Sequence, residues 1–300
     1  MPELPEVETI RRQLVPLVEG ATLERLEILD WRWSRPLAPE ELAAALRGRR
    51  IERLSRRGKY LLWSFAGDVH LAQHLRMTGV VLYEPEPEPD HVRVRLQISA
   101  RRQGGGANGA GGPEGRARRR LVIVDPRRFG IGELLLGSEA LEAFLAARLG
   151  LEPFDERFTA GHLRAVARGR TTPIKALLLD QRRVAGVGNI YADEALFRAG
   201  IHPLRPAGRL SAGQYAALRG ALIDALSAGI EALGASIDDF RHPDGVRGTF
   251  QDRFLVHRRA GERCGRCAGT IVKMVVAGRG TYVCEGCQPR PRLARRVVRR

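Results

Sequence analysis

The stretch MPELPE at positions 1–6 contains residues that could do chemistry. Initiator methionine is normally removed before a small residue such as proline, which would leave Pro2 with a free secondary amine. An α-amino group has a pKa of roughly 7.7–8.0, so part of this amine is unprotonated near neutral pH. It could attack an aldehyde or a sugar C1′ and form an iminium, while Glu3 moves protons. The stretch also suits an ordinary helix start, since Pro5 fits the first turn and Glu6 fits the positive helix end. The two interpretations are compatible.

The cysteines form two pairs with the spacing of metal knuckles, Cys264-x2-Cys267 and Cys284-x2-Cys287. Four thiolates at this spacing suit tetrahedral Zn²⁺ and leave no open position for a substrate. Two disulfides are the alternative, but we favour zinc because cytoplasmic proteins rarely keep disulfides. The sequence therefore predicts one structural Zn²⁺.

The charge balance favours a polyanionic partner. The 300 residues carry a formal net charge of +16, which points most simply to nucleic acid. A basic membrane-surface protein is the competing interpretation, but we find no basic amphipathic anchor and no apolar run near the roughly 20 residues of a membrane span. The acidic N-terminus lacks the apolar core of a signal peptide, so we expect a cytoplasmic protein.

Hydrophobic periodicity predicts an α+β fold. Apolar residues at helical spacing predict an amphipathic helix over 6–18, and a second short helix is predicted at 39–47. Between Ala21 and about Leu136, short apolar runs separated by turn residues or charges predict a β-sandwich or barrel. These runs cover 23–29, 51–54, 60–65, 69–74, 80–83, 92–98 and 121–124.

The chain becomes helical after about Gly137, and we expect helices near 138–147, 159–168, 172–181, 190–199 and 211–233. The predicted domains are an N-terminal sandwich (1–137), a helical domain (138–256), a zinc finger (257–288) and a basic tail (289–300). A glycine-rich stretch with few apolar residues predicts a disordered insertion over 101–120.

Three loops of the predicted sandwich carry side chains that a plain sandwich does not need. They hold Lys59 in a basic turn, Met77 in HLRMTG (74–79), and Arg127 with Phe129 in DPRRFG (125–130). The ordinary interpretations are a solvated hairpin, a core methionine, and simple packing of an aromatic ring beside arginine.

A glycine-rich turn joins two predicted helices at GVGNIYADEALF, residues 186–197. Gly186 and Gly188 allow close backbone approach, and Asn189 suits a cap of the following helix. Free amides at a helix start suit a phosphate. Lys175, on the preceding helix, either contacts a nucleic acid or is solvated.

The N-terminal stretch MPELPEVETIRR and the string GVGNIYADEALF resemble the bacterial formamidopyrimidine-DNA glycosylase family, which repairs oxidised purines in DNA. The resemblance covers almost the whole chain, apart from 101–120 and the tail. It implies a sandwich domain, a helix–two-turn–helix domain and a zinc-finger hairpin. Arg76 stands where the resemblance predicts glycine, which tolerates positive φ.

The resemblance implies a bifunctional DNA glycosylase and abasic-site lyase. Pro2 is then the Schiff-base nucleophile, Glu3 is the proton donor, and Glu6 supports the site. Lys59 and Arg279, the latter at the tip of a hairpin predicted from 271–276 and 281–283, are implied to contact phosphate and to donate protons in the eliminations.

Further residues are implied to contact DNA. Met77, Arg127 and Phe129 would enter the duplex where the damaged base leaves, because a glycosylase must flip its target out of the stack. His91 and Asn189 are implied backbone contacts, and segment 234–256 is implied to cover the flipped base.

The implied partner is double-stranded DNA that carries 8-oxoguanine, formamidopyrimidines or abasic sites. We expect a monomer at the nucleoid, with no cofactor beyond zinc. Two alternatives remain open. The first is an endonuclease VIII-like glycosylase for oxidised pyrimidines, against which Leu4 argues because that branch typically has glycine there. The second is a non-catalytic zinc-containing DNA-binding protein, against which Pro2, Glu3 and Lys59 argue.

Overall fold

The first helix forms around an apolar stripe. In the computed structural model, which describes residues 2–101, 116–236 and 243–291, helix α1 spans Leu4–Val18. Val7, Ile10 and Leu14 are fully buried on one face of α1, as their spacing predicts. Helix α2, Pro39–Leu46, buries Leu42 and Leu46 in the same core.

Two antiparallel four-stranded sheets form a sandwich, which confirms the predicted fold class. The strands are β1 (Thr22–Ile28), β2 (Ile51–Arg57), β3 (Tyr60–Phe65), β4 (Val69–His74), β5 (Val80–Tyr83), β6 (Val92–Arg101), β7 (Arg116–Val124) and β8 (Ile131–Leu136). One sheet has the order β1-β6-β7-β5 and the other has the order β2-β3-β4-β8. Side chains from both sheets and α1 share one apolar core, so the start of α1 is held against the sandwich.

One strand pair extends beyond the predicted limits. Strand β6 reaches Arg101 and β7 begins at Arg116, with these two residues paired, so both strands enter the segment expected to be an insertion. The rest of that expected insertion, residues 102–115, lies outside the described residues. The start of β7 could not be predicted from the sequence, because the arginines within RARRR (116–120) break the apolar alternation that indicates a strand.

Strand β8 was not among the predicted strands because Gly132 interrupts its apolar pattern. This glycine is required by packing, since a Cβ atom on Gly132 would lie 2.2 Å from the ring of Trp33. Trp33 itself is buried. The Trp33 ring therefore leaves no room for a side chain at this position of β8.

The remaining elements are mostly helical, close to the predicted ranges. They are α3 (Ser138–Arg148), α4 (Ala160–Ala167), α5 (Ile174–Leu179), α6 (Asn189–Arg198) and α7 (Ala212–Glu231), with 3-10 turns at Trp31–Ser34, Ala207–Arg209 and Phe250–Arg253. A hairpin of β9 (Val272–Val276) and β10 (Arg279–Val283) follows.

The turn of this hairpin differs by one position from the sequence prediction. Ala277 and Gly278 form the two-residue turn, and both have positive φ, at 50° and 71°. Two left-handed residues in succession are what a tight hairpin turn requires. Arg279, predicted at the tip, is instead the first residue of β10, where it pairs with Val276 and is exposed.

The chain divides into two compact units. The first contains the described residues of Met1–Arg148 together with Gly229–Gln251, and the second contains those of Leu149–Ala228 and Asp252–Arg300. Helix α3 thus belongs to the first unit, and the chain returns to that unit after most of α7. Residues 292–300 of the expected basic tail lie outside the described residues. Among the helices of the described ranges, none combines the length and hydropathy needed to cross a membrane.

Candidate active site and nucleic-acid interface

The start of α1 places the predicted nucleophile and proton donor in a buried position. Pro2 and Glu3 are both buried, with Glu3 only 1 % exposed. The backbone N–H of Glu3 donates to Oε2 of Glu6 at 2.8 Å. Because Glu6 lies in the first turn of α1, this bond fixes the backbone that leads to Pro2 relative to the helix.

The other oxygen of Glu6 binds a segment that is remote in sequence. Its Oε1 accepts from the backbone N–H of Ala235 at 2.7 Å, within the same structural unit. The preceding residue, Gly234, has φ of +77°, and a Cβ atom there would lie 2.8 Å from Cγ of Glu6. Glu6 therefore links two backbone amides, and only glycine leaves room for it at position 234.

Lys59 lies in the two-residue turn between β2 and β3, where Gly58 supplies a φ of +59°. The lysine is only 4 % exposed, unlike a lysine in a solvated hairpin. Arg56 joins this turn to α1, since its Nη1 donates to the carbonyl oxygen of Gly58 at 3.0 Å and its Nε donates to Oε2 of Glu8 at 3.1 Å. The sequence prediction did not assign a role to this pair.

Glu8 keeps its charge in this arrangement. Burial by itself raises the pKa of Glu8, but hydrogen bonds from Arg11 and Arg12 and the charge of Arg56 outweigh burial and lower the pKa to about 2. The carboxylate is therefore ionised at neutral pH, and its link to Arg56 is a charge-assisted hydrogen bond.

The Met77 loop adopts a left-handed backbone without the glycine that the resemblance predicts. Arg76 has φ of +56° and an exposed side chain, and its N–H donates to Nδ1 of His74 at 2.9 Å. Gly79 closes the loop, because a Cβ atom there would lie 2.4 Å from the carbonyl oxygen of Leu75. Met77 between them is half-buried. The substitution of arginine for glycine therefore leaves a left-handed turn in place.

His74 makes this loop sensitive to acid. Burial, followed by the charges of Arg76 and Lys59, lowers the pKa of His74 from 6.5 to about 3. The unfolded chain therefore takes up the proton first, so this contribution to stability is complete above pH 6.5 and is lost as the pH falls toward 3. Below about pH 6, we expect the wild type to lose about 1.4 kcal/mol of unfolding free energy per pH unit beyond the loss in a His74→Gln variant.

Chemical denaturation at a series of pH values measures this difference, with His162→Gln as the control because that histidine is in the second unit. The prediction would be contradicted if the unfolding free energies of the wild type and His74→Gln fell equally steeply with decreasing pH.

Asp125 organises the loop that carries Arg127 and Phe129. Its carboxylate accepts from the backbone N–H groups of Gly130 at 2.7 Å, Phe129 at 2.8 Å and Arg127 at 3.2 Å. The hydroxyl of Thr78, in the Met77 loop, also donates to it. Asp125 is 1 % exposed, so one buried carboxylate holds both predicted wedge loops together.

The side chains on these loops face outward. Phe129 is 49 % exposed, and the guanidinium carbon of Arg127 lies 4.9 Å from the centroid of its ring. His91 is exposed with φ of +65°, and its carbonyl oxygen accepts from the N–H of Asp125 at 3.1 Å. The structure thus brings the loops of Met77, Arg127, Phe129 and His91 together through Asp125, a residue whose role the sequence prediction missed.

Replacing Asp125 with alanine should disconnect the two loops. We expect a loss of about 2–4 kcal/mol in unfolding free energy, because one buried and two partly buried backbone N–H groups lose their acceptor. Well below the melting temperature, the base excision that the resemblance implies should slow by about tenfold or more, because the predicted wedge residues are no longer held in place. Unfolding curves and single-turnover excision measure the two effects.

Asp224→Ala is the matched control, since that aspartate is exposed on α7. A 2-aminopurine base placed beside a damaged base in a duplex reports the base flipping that the resemblance implies, and a loss of stability alone does not change this signal at low temperature. Normal flipping by Asp125→Ala would contradict a positioning role.

In the second unit, Asn189 contacts the zinc hairpin. Its Nδ2 donates to the carbonyl oxygen of Gly280 at 2.9 Å, and Gly280 directly follows Arg279. The prediction that Asn189 caps α6 is wrong, because Gly188 occupies the N-cap position and Asn189 is the first helical residue. Its side chain lies toward β10, where it meets the hairpin.

Lys175 neither faces solvent nor is available to a nucleic acid, so both interpretations from the sequence are wrong. It is fully buried, and its Nζ lies 2.6 Å from Oδ1 of Asp193 and 2.7 Å from the hydroxyl of Thr281. Asp193 also contacts Nδ1 of His257 at 2.9 Å. A buried ammonium needs such partners, and these join α5 and α6 to β10.

The four cysteines form one structural zinc site. Their Sγ atoms all lie within 4.8 Å of one another, with separations of 3.8 Å for Cys264–Cys287 and 3.4 Å for Cys267–Cys284. Zn–S bonds of about 2.3 Å in a tetrahedron place sulfur atoms about 3.8 Å apart, so the cluster fits the ion. None of these cysteines is in a disulfide, which removes the alternative.

Models of three protein domains match the chain in order. They are the formamidopyrimidine-DNA glycosylase N-terminal domain over residues 1–131, the formamidopyrimidine-DNA glycosylase H2TH domain over 149–241, and the zinc finger found in FPG and IleRS over 261–290. A formamidopyrimidine-DNA glycosylase of Ruegeria pomeroyi is 42% identical over 294 residues, covering 96% of this chain and 100% of the relative. The chain belongs to the formamidopyrimidine-DNA glycosylase family.

Other relatives agree with this assignment. A formamidopyrimidine-DNA glycosylase of Chloroflexus aurantiacus is 44% identical, covering 96% of this chain and 98% of the relative. The crystal structure of the MutM (Fpg) protein from Thermus thermophilus matches with a TM-score of 0.81 at 42% identity, covering 96% of this chain and 98% of that one. A complex of Lactococcus lactis Fpg with DNA containing an abasic site matches with a TM-score of 0.83 at 34% identity, covering 96% and 100%.

Proposed function

We propose that this protein is a bifunctional DNA glycosylase and abasic-site lyase that removes oxidised purines from duplex DNA in base excision repair. The observation that carries the proposal is the buried start of α1, where Glu6 fixes the backbone of Glu3 beside Pro2. A non-catalytic DNA-binding protein does not require a buried proline and a buried carboxylate at the start of α1. Family membership supports the same activity.

The chemistry begins with the amine of Pro2, after removal of Met1. Its nitrogen forms a bond to C1′ of the damaged nucleotide, the glycosidic bond breaks, and the base leaves with that electron pair and a proton. Glu3 supplies protons to the opening sugar ring. The resulting iminium acidifies the C2′ proton, so β-elimination and then δ-elimination break the strand on both sides.

Lys59 and Arg279 bind DNA phosphates and assist the eliminations as proton donors. Preorganised positive charge stabilises the negative charge that develops on the leaving phosphates. The turn of Lys59 is fixed through Arg56, and Arg279 stands on the zinc hairpin beside the contact of Asn189.

The remaining predicted residues bind the duplex. Met77, Arg127 and Phe129 fill the stack after the base has been flipped, and His91 and Asn189 contact the backbone. Phe129 is exposed and Met77 is half-buried, so both can reach a partner. The substrates are 8-oxoguanine opposite cytosine and ring-opened formamidopyrimidines. One chain at the nucleoid suffices for this reaction.

Oxidised pyrimidines are the second candidate substrate class. A solved complex of Lactococcus lactis Fpg contains oxidised-pyrimidine DNA, which supports some overlap between the classes. Leu4 argues for purines as the main substrate because the pyrimidine-specific sister branch typically has glycine there. Leu4 is fully buried here.

Borohydride trapping tests the proposal. A duplex with 8-oxoguanine opposite cytosine is incubated with the full-length protein and borohydride, and the cross-linked peptide is identified by mass spectrometry. We expect the cross-link on Pro2. Tight binding with no cross-link would support a binding protein, and a cross-link only with oxidised pyrimidines would assign the sister activity.

A further inference from the structure

Trp31 presents a large aromatic ring to solvent, and an arginine lies over it. The Trp31 side chain is 58 % exposed, and the guanidinium carbon of Arg35 is 3.8 Å from the ring centroid. Nothing in the predicted site includes this pair. An exposed indole next to a guanidinium is suited to a partner that offers both negative charge and flat apolar surface.

The backbone beneath this pair is well fixed. The 3-10 turn Trp31–Ser34 begins at Asp30, whose side chain accepts from the N–H of Arg32 at 3.2 Å. Ser34 is buried, and its hydroxyl lies 3.3 Å from the carbonyl oxygen of Trp31. The exposed ring is therefore held by an ordered turn, which lowers the entropy that a partner must overcome.

The same turn is attached to the loop of Arg127 and Phe129. The ring of Trp33 lies against Gly130 and Gly132, at the end of that loop and the start of β8. The carboxylate of Asp30 lies 3.7 Å from Nε of Arg128. The Trp31–Arg35 pair is thus continuous with the wedge loop within one structural unit.

The combined surface is basic and aromatic. Four arginines lie on these two segments: Arg32, Arg35, Arg127 and Arg128. The two acidic residues that organise the segments, Asp30 and Asp125, are both buried. Trp31 and Phe129 are the exposed rings on this surface. Positive charge with interspersed aromatic rings is the composition of nucleic-acid contact surfaces, and it favours DNA over an apolar partner.

We propose that Trp31 and Arg35 form an additional DNA contact beside the wedge loop. Arg35 binds a backbone phosphate, and the ring of Trp31 packs on the neighbouring deoxyribose. The pair extends the contact surface along the duplex and helps to seat Phe129. This inference rests on the proposed function only in requiring that the protein binds duplex DNA.

Tryptophan fluorescence provides a direct test, because Trp33 and Trp63 are 3 % and 1 % exposed and acrylamide quenching therefore reports Trp31. The full-length protein is titrated with a duplex that contains a tetrahydrofuran abasic analogue. We expect bound DNA to protect Trp31 from acrylamide. Undiminished quenching at saturating DNA would overturn the proposal.

Variants test the two parts of the contact separately. Trp31→Ala should weaken DNA binding about tenfold, and Trp31→Phe should restore most of the loss. Arg35→Gln should make the plot of the logarithm of the DNA-binding constant against the logarithm of the salt concentration less steep by about 0.9, because one phosphate contact is lost. The matched controls are Leu136→Ala, at a side chain 67 % exposed, and Arg47→Gln, at an exposed arginine after α2.

The outcomes separate this proposal from the proposed function. Excision of 8-oxoguanine, with Trp31 still quenched by acrylamide in the DNA complex, would support the proposed function and would overturn the Trp31–Arg35 contact. Protection of Trp31 by bound DNA without excision of a base would support the Trp31–Arg35 contact and would overturn the proposed function. Unchanged DNA affinity in Trp31→Ala, together with protection of Trp31 by polyglutamate, would indicate a surface for an acidic protein and would overturn the DNA contact.

Discussion

Replacing Pro2 with glycine is expected to slow base excision about a thousandfold while DNA affinity changes by less than about threefold. A secondary amine forms a charged iminium directly, and the proline ring fixes the direction of its nitrogen. A glycine amine rotates freely, and the imine that it forms must gain a further proton before elimination. Helix α1 begins at Leu4, so the substitution leaves the fold intact.

Single-turnover excision from an 8-oxoguanine duplex measures the rate, and an electrophoretic mobility shift measures the affinity. Pro89→Gly, in the loop between β5 and β6, controls for the loss of a proline elsewhere. Excision by Pro2→Gly at the wild-type rate would exclude Pro2 as the nucleophile. This conclusion would not depend on which residue forms the borohydride cross-link.

Replacing Cys284 with serine is expected to remove the zinc ion and to weaken DNA binding at least about tenfold. A two-stranded hairpin is marginal in water by itself, so β9 and β10 depend on the metal knuckles for their position. Cys284 also has its N–H bonded to Oε1 of Gln288 at 3.1 Å, and Gln288 reaches the carbonyl oxygen of Ile201 at 2.9 Å. Loss of the knuckle therefore disturbs Arg279 and the contact of Asn189 at once.

Metal analysis should find one zinc per wild-type chain and less in the variant. Val275→Ser, at a side chain 71 % exposed on the same hairpin, should keep both the zinc and the affinity. A Cys284→Ser protein that binds DNA normally without metal would show that the hairpin needs no zinc.

The spacing of residues close together in the sequence was enough to predict the helices, strands and metal knuckles that such residues form. The spacing of Val7, Ile10 and Leu14 predicted α1, and alternation within short runs predicted most of the sandwich strands. The knuckle spacing predicted the zinc site because four thiolates at this spacing suit one tetrahedral Zn²⁺ ion.

Contacts between remote residues could not be predicted in this way. The partner of Lys175 is Asp193 on the next helix, and nothing in the sequence around either residue marks them as a pair. In the sequence, Asp125 has the character of an ordinary turn residue. Only the structure shows that its carboxylate accepts hydrogen bonds from several backbone N–H groups.

The bond between Glu6 and Ala235 has a consequence for the order in which the protein becomes active. The two residues are 229 positions apart, so the ribosome synthesises the start of α1 long before Ala235, which binds it. A nascent chain, or a fragment that stops after α3, has the proline amine without the backbone that holds Glu6 in place. The chemistry proposed for Pro2 therefore requires that synthesis has passed Ala235, the residue that binds Glu6.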